Sequence, residues 1–165
     1  RTNRSGIIRG RVIGGKSQAG DWKMDVRFNK EELIRRIEKI ARYSGRIELH
    51  NEDAVDLITG IMSQIDEHTL IYFDPPYYNQ GAALYANFYE HEDHYALAQF
   101  IQNLDCKWML TYDHTDEVIA MYRDAERHVL SLSYTAQEKT RGNEMIAFSP
   151  GLIAPTGKFS SVNIA

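Results

Sequence analysis

The chain of 165 residues contains a single cysteine, Cys106, and this scarcity excludes an intrachain disulfide. One unpaired cysteine fits a reducing compartment, so we expect a cytoplasmic location. The candidate metal ligands are two short groups of histidine and acidic residues, at 91–94 and 113–116. Neither group has the spacing of a strong metal motif, and we therefore expect no bound metal.

Long hydrophobic runs are absent as well. No stretch approaches the ~18 consecutive apolar residues of a membrane span, and we recognise no secretory signal peptide, so we expect no contact with a membrane. The length is that of one domain, and a composition with 43% hydrophobic and 25% charged residues is ordinary for a globular protein. The sequence thus predicts one folded domain with a buried core.

Basic and acidic residues are unevenly distributed, although the net charge is only −4. Residues 1–46 hold 13 Lys/Arg against 5 Asp/Glu, a balance of +8, whereas residues 47–165 hold 6 against 18, a balance of −12. A basic segment on an acidic body indicates a local contact with a polyanion such as DNA. The alternative is that its basic residues between 35 and 42 form only the solvated face of a helix.

Proline is scarce, yet two of the four prolines are adjacent. The apolar, strand-like run at 70–73 is followed by Asp74, Pro75, Pro76 and Tyr77. The prolines exclude ladder pairing and helix, and an acidic group at the carboxyl end of a buried strand lies where α/β sheets open a ligand crevice. The prolines also offer carbonyl acceptors without N–H donors. Such acceptors beside an aromatic ring suit a planar ring that bears an exocyclic amino group.

Two other interpretations of this segment stay open. In one, Asp74 caps a turn that the prolines stiffen. In the other, residues 75–78 are a Pro-Pro-x-Tyr ligand for a WW-type module. Ligands of the second kind normally lie in exposed polar linkers, whereas this segment follows an apolar strand.

The hydrophobic periodicity predicts alternating helices and strands. The predicted helices are residues 30–43, 53–63, 90–103 and 114–123, and the predicted strands are residues 46–50, 69–74, 107–112, 127–135 and 143–149. Residues 6–13 and 22–28 are β-prone and predict a hairpin or paired loops, and the residues after 150 predict a poorly ordered tail. This order predicts an α/β fold whose parallel sheet ends in a hairpin.

Several motifs resemble the D12 class (Dam-like) of N6-adenine DNA methyltransferases, which use S-adenosylmethionine. The catalytic motif of that class, Asp-Pro-Pro-Tyr after an apolar strand, is present at 74–77. Further similar segments are RTNRSGIIRG at 1–10, IGG at 13–15, RFNK at 27–30, RIEL at 46–49, NED at 51–53, LY at 84–85, WMLTY at 108–112 and EMI at 144–146. The resemblance spans about residues 1–150.

The resemblance implies a Rossmann-like methyltransferase fold, of which this chain supplies the carboxyl-terminal part of the sheet and its closing antiparallel hairpin. It divides the chain into the end of a basic target-recognition segment at 1–29, a partial catalytic core at 30–150 and a tail at 151–165. Members of the class carry a Gly-rich cofactor loop before the recognition region, and this sequence has no such loop. We therefore expect a fragment whose activity on its own is in question.

The resemblance also implies roles for the residues of the motif. Asp74 and the carbonyl of Pro75 accept the two hydrogens of an adenine N6 amino group, Tyr77 stacks on the flipped base, and Pro76 completes the motif. Asp74 is also implied in cofactor binding, together with Asp53, which matches the position that binds the adenine of S-adenosylmethionine. The alternative role of Asp53 is the N-cap of the helix that follows it.

Double-stranded DNA is the implied substrate, as in restriction-modification systems. Arg9 is implied to read a base, and Arg4 and Ser5 to contact the duplex and its backbone; a generic phosphate contact is the alternative for each. Two other functions stay open. One is an amino-methyltransferase that acts on RNA or on protein, and the other is a truncated, inactive DNA-binding remnant.

Overall fold

The computed structural model describes residues 2–3, 11–79, 89–134 and 140–153. The chain forms two compact units, Arg1–Glu52 and Asp53–Ala165. Within the described part, the first unit contains turns and one α-helix, and the second contains a four-stranded sheet with three α-helices. None of the described helices is long and apolar enough to cross a membrane.

The first unit contains a tight turn built on two glycines. Gly14 and Gly15 have φ angles of 84° and 76°, which L side chains rarely adopt. A Cβ on Gly14 would lie 2.8 Å from the carbonyl oxygen of Trp22, so conformation and space both favour glycine. The side chain of Gln18 closes the turn by donating to the carbonyl of Ile13 at 2.8 Å.

Helix α1 (Lys30–Ala41) is confirmed and ends two residues earlier than predicted. Asn29 caps its first turn, where the side chain accepts from the N–H of Glu32 at 3.0 Å. Acidic residues in the first turn and Lys39 in the last turn complement the helix dipole. A turn of 3-10 helix, Ser44–Arg46, follows.

One strand assignment in the first unit is wrong, and a second β-prone segment forms no strand. Residues 46–50 form no strand, and Leu49 is 91% exposed. Residues 22–28, predicted to form a hairpin or paired loops with residues 6–13, contain a turn at 24–27 and no strand, and residues 6–10 lie outside the described residues. A strand needs a neighbour for its N–H and C=O groups, and among the described residues neither segment has one. The described pairing in this unit is one antiparallel bridge, between Asn3 and Val12.

The second unit is organised by a mixed sheet with the strand order β1-β2-β4-β3. Its strands are β1 (Leu70–Phe73), β2 (Lys107–Asp113), β3 (Glu126–Tyr134) and β4 (Thr140–Phe148). β1 and β2 are parallel, β2 and β4 are antiparallel, and β3 and β4 form the closing hairpin. The predicted strands of this unit and the terminal hairpin are therefore confirmed.

Three helices pack with this sheet: α2 (Ala54–Ile61), α3 (His91–Gln102) and α4 (Asp116–Met121). A 3-10 turn, Met62–Gln64, extends α2. The buried core draws on each of these helices and on strands β1, β2 and β4; its members are Ile58, Phe73, Leu97, Ala98, Ile101, Trp108, Leu110, Tyr112, Val118, Tyr122, Met145 and Ala147. Since side chains alternate along a strand, burying alternate residues of β2 on this core leaves Thr111 and Asp113 on the other face.

Candidate active site

Asp74 lies directly after β1, at the end of the sheet where both parallel strands finish. The hydroxyl of Thr111, on the neighbouring strand β2, donates to Asp74 Oδ1 at 3.1 Å. The Tyr72 hydroxyl lies 2.6 Å from the same Thr111 oxygen. Because an ionised carboxylate only accepts and threonine has one hydroxyl proton, Tyr72 donates to Thr111. The three side chains form a directed chain of hydrogen bonds that fixes one oxygen of Asp74.

The rest of the motif turns away from the strand. Pro75, Pro76 and Tyr77 are half-buried, whereas Asp74 is exposed. The Tyr77 hydroxyl donates to Glu144 Oε1 at 2.7 Å. The motif therefore presents an exposed carboxylate next to an aromatic side chain that is tied to strand β4.

Asp113, at the end of β2, holds the backbone that follows the motif. Its Oδ1 accepts from the N–H of Tyr78 at 2.9 Å, and its Oδ2 accepts from the N–H of Asn79 at 3.0 Å. From the sequence, Asp113 was considered only as a metal ligand, and neither Glu144 nor Thr111 was given a functional role. A carboxylate at the end of the strand beside β1 was the available signal for Asp113, whereas the contact of Glu144 depends on the register of the hairpin.

Aromatic and histidine rings pack beneath this segment. The ring centroids of Tyr78 and His94 lie 5.0 Å apart. The Tyr78 hydroxyl is hydrogen-bonded to His91 Nδ1 at 2.8 Å. His94 is 1% exposed, and its Nδ1 is hydrogen-bonded to the Tyr112 hydroxyl. Burial lowers the pKa of His94, although Asp113 among other groups opposes this shift. Burial also raises the pKa of Tyr112 far above its ordinary range.

Asp53 caps helix α2. Its Oδ1 accepts from the N–H of Val55 at 2.8 Å, which confirms the capping role. The charge of Asp53 also contributes to raising the pKa of Tyr89, after the larger effect of burial and together with Asp93. Asp53 therefore acts electrostatically on an aromatic residue that packs against His94. The cofactor role of Asp53 stays a prediction.

The three residues predicted to contact DNA, Arg4, Ser5 and Arg9, lie outside the described residues, as does the predicted tail after residue 153. In the described ranges, no group of three or more His, Cys, Asp or Glu side chains is arranged to hold a metal ion. The described part of the candidate site thus consists of the motif, its neighbours on β2 and β4, and Asp53.

Two comparisons with known proteins complete this description. A family model described as "D12 class N6 adenine-specific DNA methyltransferase" matches residues 12–136, which are 125 of the 165 residues. None of the curated proteins matches the chain. The matched range contains Asp53, the whole of the motif at 74–77, Thr111 and Asp113, whereas Glu144 lies beyond it.

Proposed function

Because the chain belongs to the D12 class of N6 adenine-specific DNA methyltransferases, we propose that it methylates the N6 amino group of adenine in double-stranded DNA. The observation that supports this most directly is the exposed carboxylate of Asp74, held by Thr111 at the end of β1. A fixed hydrogen-bond acceptor in this position suits an amino group, which has two hydrogens to donate.

We further assign the sheet to a Rossmann-like methyltransferase fold. The strand order β1-β2-β4-β3, with one parallel pair followed by an antiparallel hairpin, is the arrangement expected for the carboxyl-terminal part of such a sheet. In this arrangement Asp74 lies at the edge where open α/β sheets bind their ligands. Residues 1–29 then form the end of the target-recognition segment, 30–150 the catalytic core and 151–165 a tail.

The target base must leave the duplex before it can reach Asp74, because N6 of a stacked adenine is inaccessible. In the pocket, Asp74 accepts one N6 hydrogen and the carbonyl of Pro75 accepts the other. Two acceptors draw the amino nitrogen towards a tetrahedral geometry and free its lone pair for attack on the methyl group that is to be transferred. Tyr77 offers its ring as the stacking surface. The contribution of these residues is mainly positioning and the placement of charge.

S-adenosylmethionine, when bound, supplies the electrophilic methyl group on a sulfonium. The residues present fit such a group in part. Asp53 uses Oδ1 to cap α2, and its Oδ2 has no hydrogen-bond partner among the described residues, so this oxygen is available to an adenine amino group. We assign Asp53 and Asp74 as the described residues that hold the cofactor.

We assign Arg4, Ser5 and Arg9 to the DNA interface on the basis of the sequence. They belong to the basic part of the chain, whose sign of charge suits phosphate. An arginine can pair with a guanine edge through two hydrogen bonds, which suits Arg9 for base reading.

The test is the substitution Asp74→Ala, with the exposed Asp105→Ala as the matched control. We expect Asp74→Ala to retain binding to unmethylated duplex DNA and to abolish transfer of tritium-labelled methyl groups, whereas the control behaves like the wild type. Near-normal turnover of Asp74→Ala would contradict the assignment. Titration of S-adenosylmethionine into the protein by calorimetry separates an enzyme from a DNA-binding remnant, because a remnant would bind DNA and release no heat with the cofactor.

A further inference from the structure

Two carboxylates from different strands hold the three residues that follow the prolines. Asp113 accepts from the backbone N–H groups of Tyr78 and Asn79 at 2.9 and 3.0 Å. Glu144 accepts from the Tyr77 hydroxyl at 2.7 Å. All three contacts join the last residue of β2, Asp113, and its partner within β4, Glu144, to consecutive residues of one loop.

These two carboxylates are also direct neighbours. Asp113 and Glu144 are register partners in the antiparallel pair of β2 and β4. Like charges directly opposite each other on neighbouring strands are destabilising, so such a pair is costly unless each member has donors of its own. Here the loop supplies donors to both carboxylates, and these hydrogen bonds offset the repulsion between them.

The geometry defines how the loop is fixed. Pro75 and Pro76 restrict the backbone before Tyr77, and they have no N–H to offer. After them, the N–H groups of Tyr78 and Asn79 donate to Asp113. The Tyr77 ring is thus held through stiff backbone on one side, anchored backbone on the other, and its own hydroxyl at the tip.

We propose that Asp113 and Glu144 are positioning residues that hold the ring of Tyr77 ready to stack on the flipped adenine. This inference rests on the proposed function, in which Tyr77 is the stacking surface. It assigns to the Tyr77 hydroxyl the role of an anchor and to the ring alone the contact with the base. Neither carboxylate touches the substrate.

The first test is amide hydrogen exchange, followed by nuclear magnetic resonance in the whole protein. We expect Asp113→Ala to accelerate exchange of the Tyr78 and Asn79 amides by roughly tenfold or more, because hydrogen bonds to a charged group are among the strong ones. The Leu110 amide should keep its rate, which separates a local effect from loss of the fold. Asp105→Ala, with a substitution at an exposed aspartate, should change none of these rates. Unchanged exchange of both amides in Asp113→Ala would overturn the inference.

The second test is a double-mutant cycle on methyl transfer to unmethylated DNA. If the Tyr77 hydroxyl only anchors the ring, Tyr77→Phe, Glu144→Ala and the double variant should all lower kcat to the same extent, by about tenfold to a hundredfold, with KM for DNA nearly unchanged. Glu144→Gln keeps an acceptor oxygen and should restore most of kcat. Additive losses, or a kcat that stays at the wild-type value, would overturn the inference.

The two tests separate this inference from the function on which it rests. A wild-type protein that transfers no methyl group under any condition would contradict the proposed function. Amide exchange needs no turnover, so it would still confirm or overturn the hold of Asp113 on the loop.

Discussion

The hydroxyl of Thr111 stands between Tyr72 and Asp74 and sets the direction of both hydrogen bonds. Asp74 is exposed, so its backbone and this single donor determine where the carboxylate points. Removing the donor leaves the charge in place and loosens its orientation. Small errors in orientation are costly in a reaction that depends on positioning.

We therefore expect Thr111→Val to lower kcat for methyl transfer by about tenfold or more. Thr111→Ser keeps the hydroxyl and should stay close to the wild type. Both are checked by steady-state transfer of labelled methyl groups to DNA. Equal kcat values for the valine and serine variants would contradict a role of the hydroxyl.

A second residue, His94, makes the stability of the folded protein depend on pH. Burial lowers the pKa of His94 below its ordinary value, and Asp113 and Asp93 only partly offset this. Between this depressed pKa and about 6.5, the ordinary pKa of histidine, His94 therefore binds more protons in the unfolded chain than in the folded chain. The corresponding stability is fully present above this range and is lost as the pH falls through it.

His94→Phe keeps a ring in this place but removes the titration and leaves the Tyr112 hydroxyl without its partner. We expect it to lower the free energy of unfolding at about pH 7.5 by roughly 1–3 kcal/mol. The loss of stability between about pH 7.5 and about pH 5.5 should be smaller than in the wild type. Urea unfolding at both pH values measures this, with His68→Gln on an exposed loop as the control. An unchanged pH dependence in His94→Phe would show that another group carries it.

Among the elements, helix α2 connects the candidate cofactor site with stability, because Asp53 is its N-cap. Asp53→Ala should cost about 1 kcal/mol of unfolding free energy, whereas Asp53→Asn keeps an acceptor for the Val55 N–H and should cost much less. The second atom of the asparagine side chain would be an N–H₂ donor, which repels an amino group. If Asp53 holds the cofactor, Asp53→Asn should therefore weaken S-adenosylmethionine binding by roughly tenfold.

Calorimetry and thermal unfolding of the same variants separate these two roles. Asp56→Asn, an exposed residue in the same first turn, is the matched control and should change neither quantity. Full cofactor affinity in Asp53→Asn would restrict Asp53 to capping.

The elements also differ in how well the sequence predicted them. Helices α1 and α3 and strands β1 to β4 combine a clear periodicity with caps or turns, and the prediction for each is confirmed to within a few residues. In residues 46–50, apolar and polar side chains alternate as they do in a half-buried strand, yet these residues form no strand. Alternation describes side chains only, whereas a strand also needs a paired backbone.

The candidate site shows the same division. The motif at 74–77 was recognisable because its residues are adjacent and chemically unusual. The partners of this segment are distant in the chain: Glu144 meets Tyr77 across 67 positions, and Thr111 meets Asp74 across 37. These contacts depend on the strand order and register of the folded sheet, and neither could be predicted from the sequence pattern alone.

In the whole molecule, the charge follows the division into two units. Arg1–Glu52 holds 13 basic and 7 acidic residues, a balance of +6, and Asp53–Ala165 holds 6 and 16, a balance of −10. Every described residue of the candidate catalytic site belongs to the acidic unit, so an affinity for phosphate must come mainly from the basic one. In α1, Arg35 and Arg36 are both paired with Glu32. Lys39 in its last turn and Arg42, which caps its carboxyl end, have no ion pair among the described residues.

This distribution predicts where the salt dependence of DNA binding originates. We expect the affinity for a short duplex, measured by fluorescence anisotropy between about 50 and about 200 mM salt, to fall steeply with ionic strength. The double substitution Lys39→Gln/Arg42→Gln should make the slope of log affinity against log salt shallower by about 1.8, the value for two lost phosphate contacts. Lys107→Gln/Arg123→Gln removes the same charge from the acidic unit and should leave the slope unchanged. If both double variants keep the wild-type slope, α1 carries only a solvated basic face, and the contact with DNA lies elsewhere in the first unit.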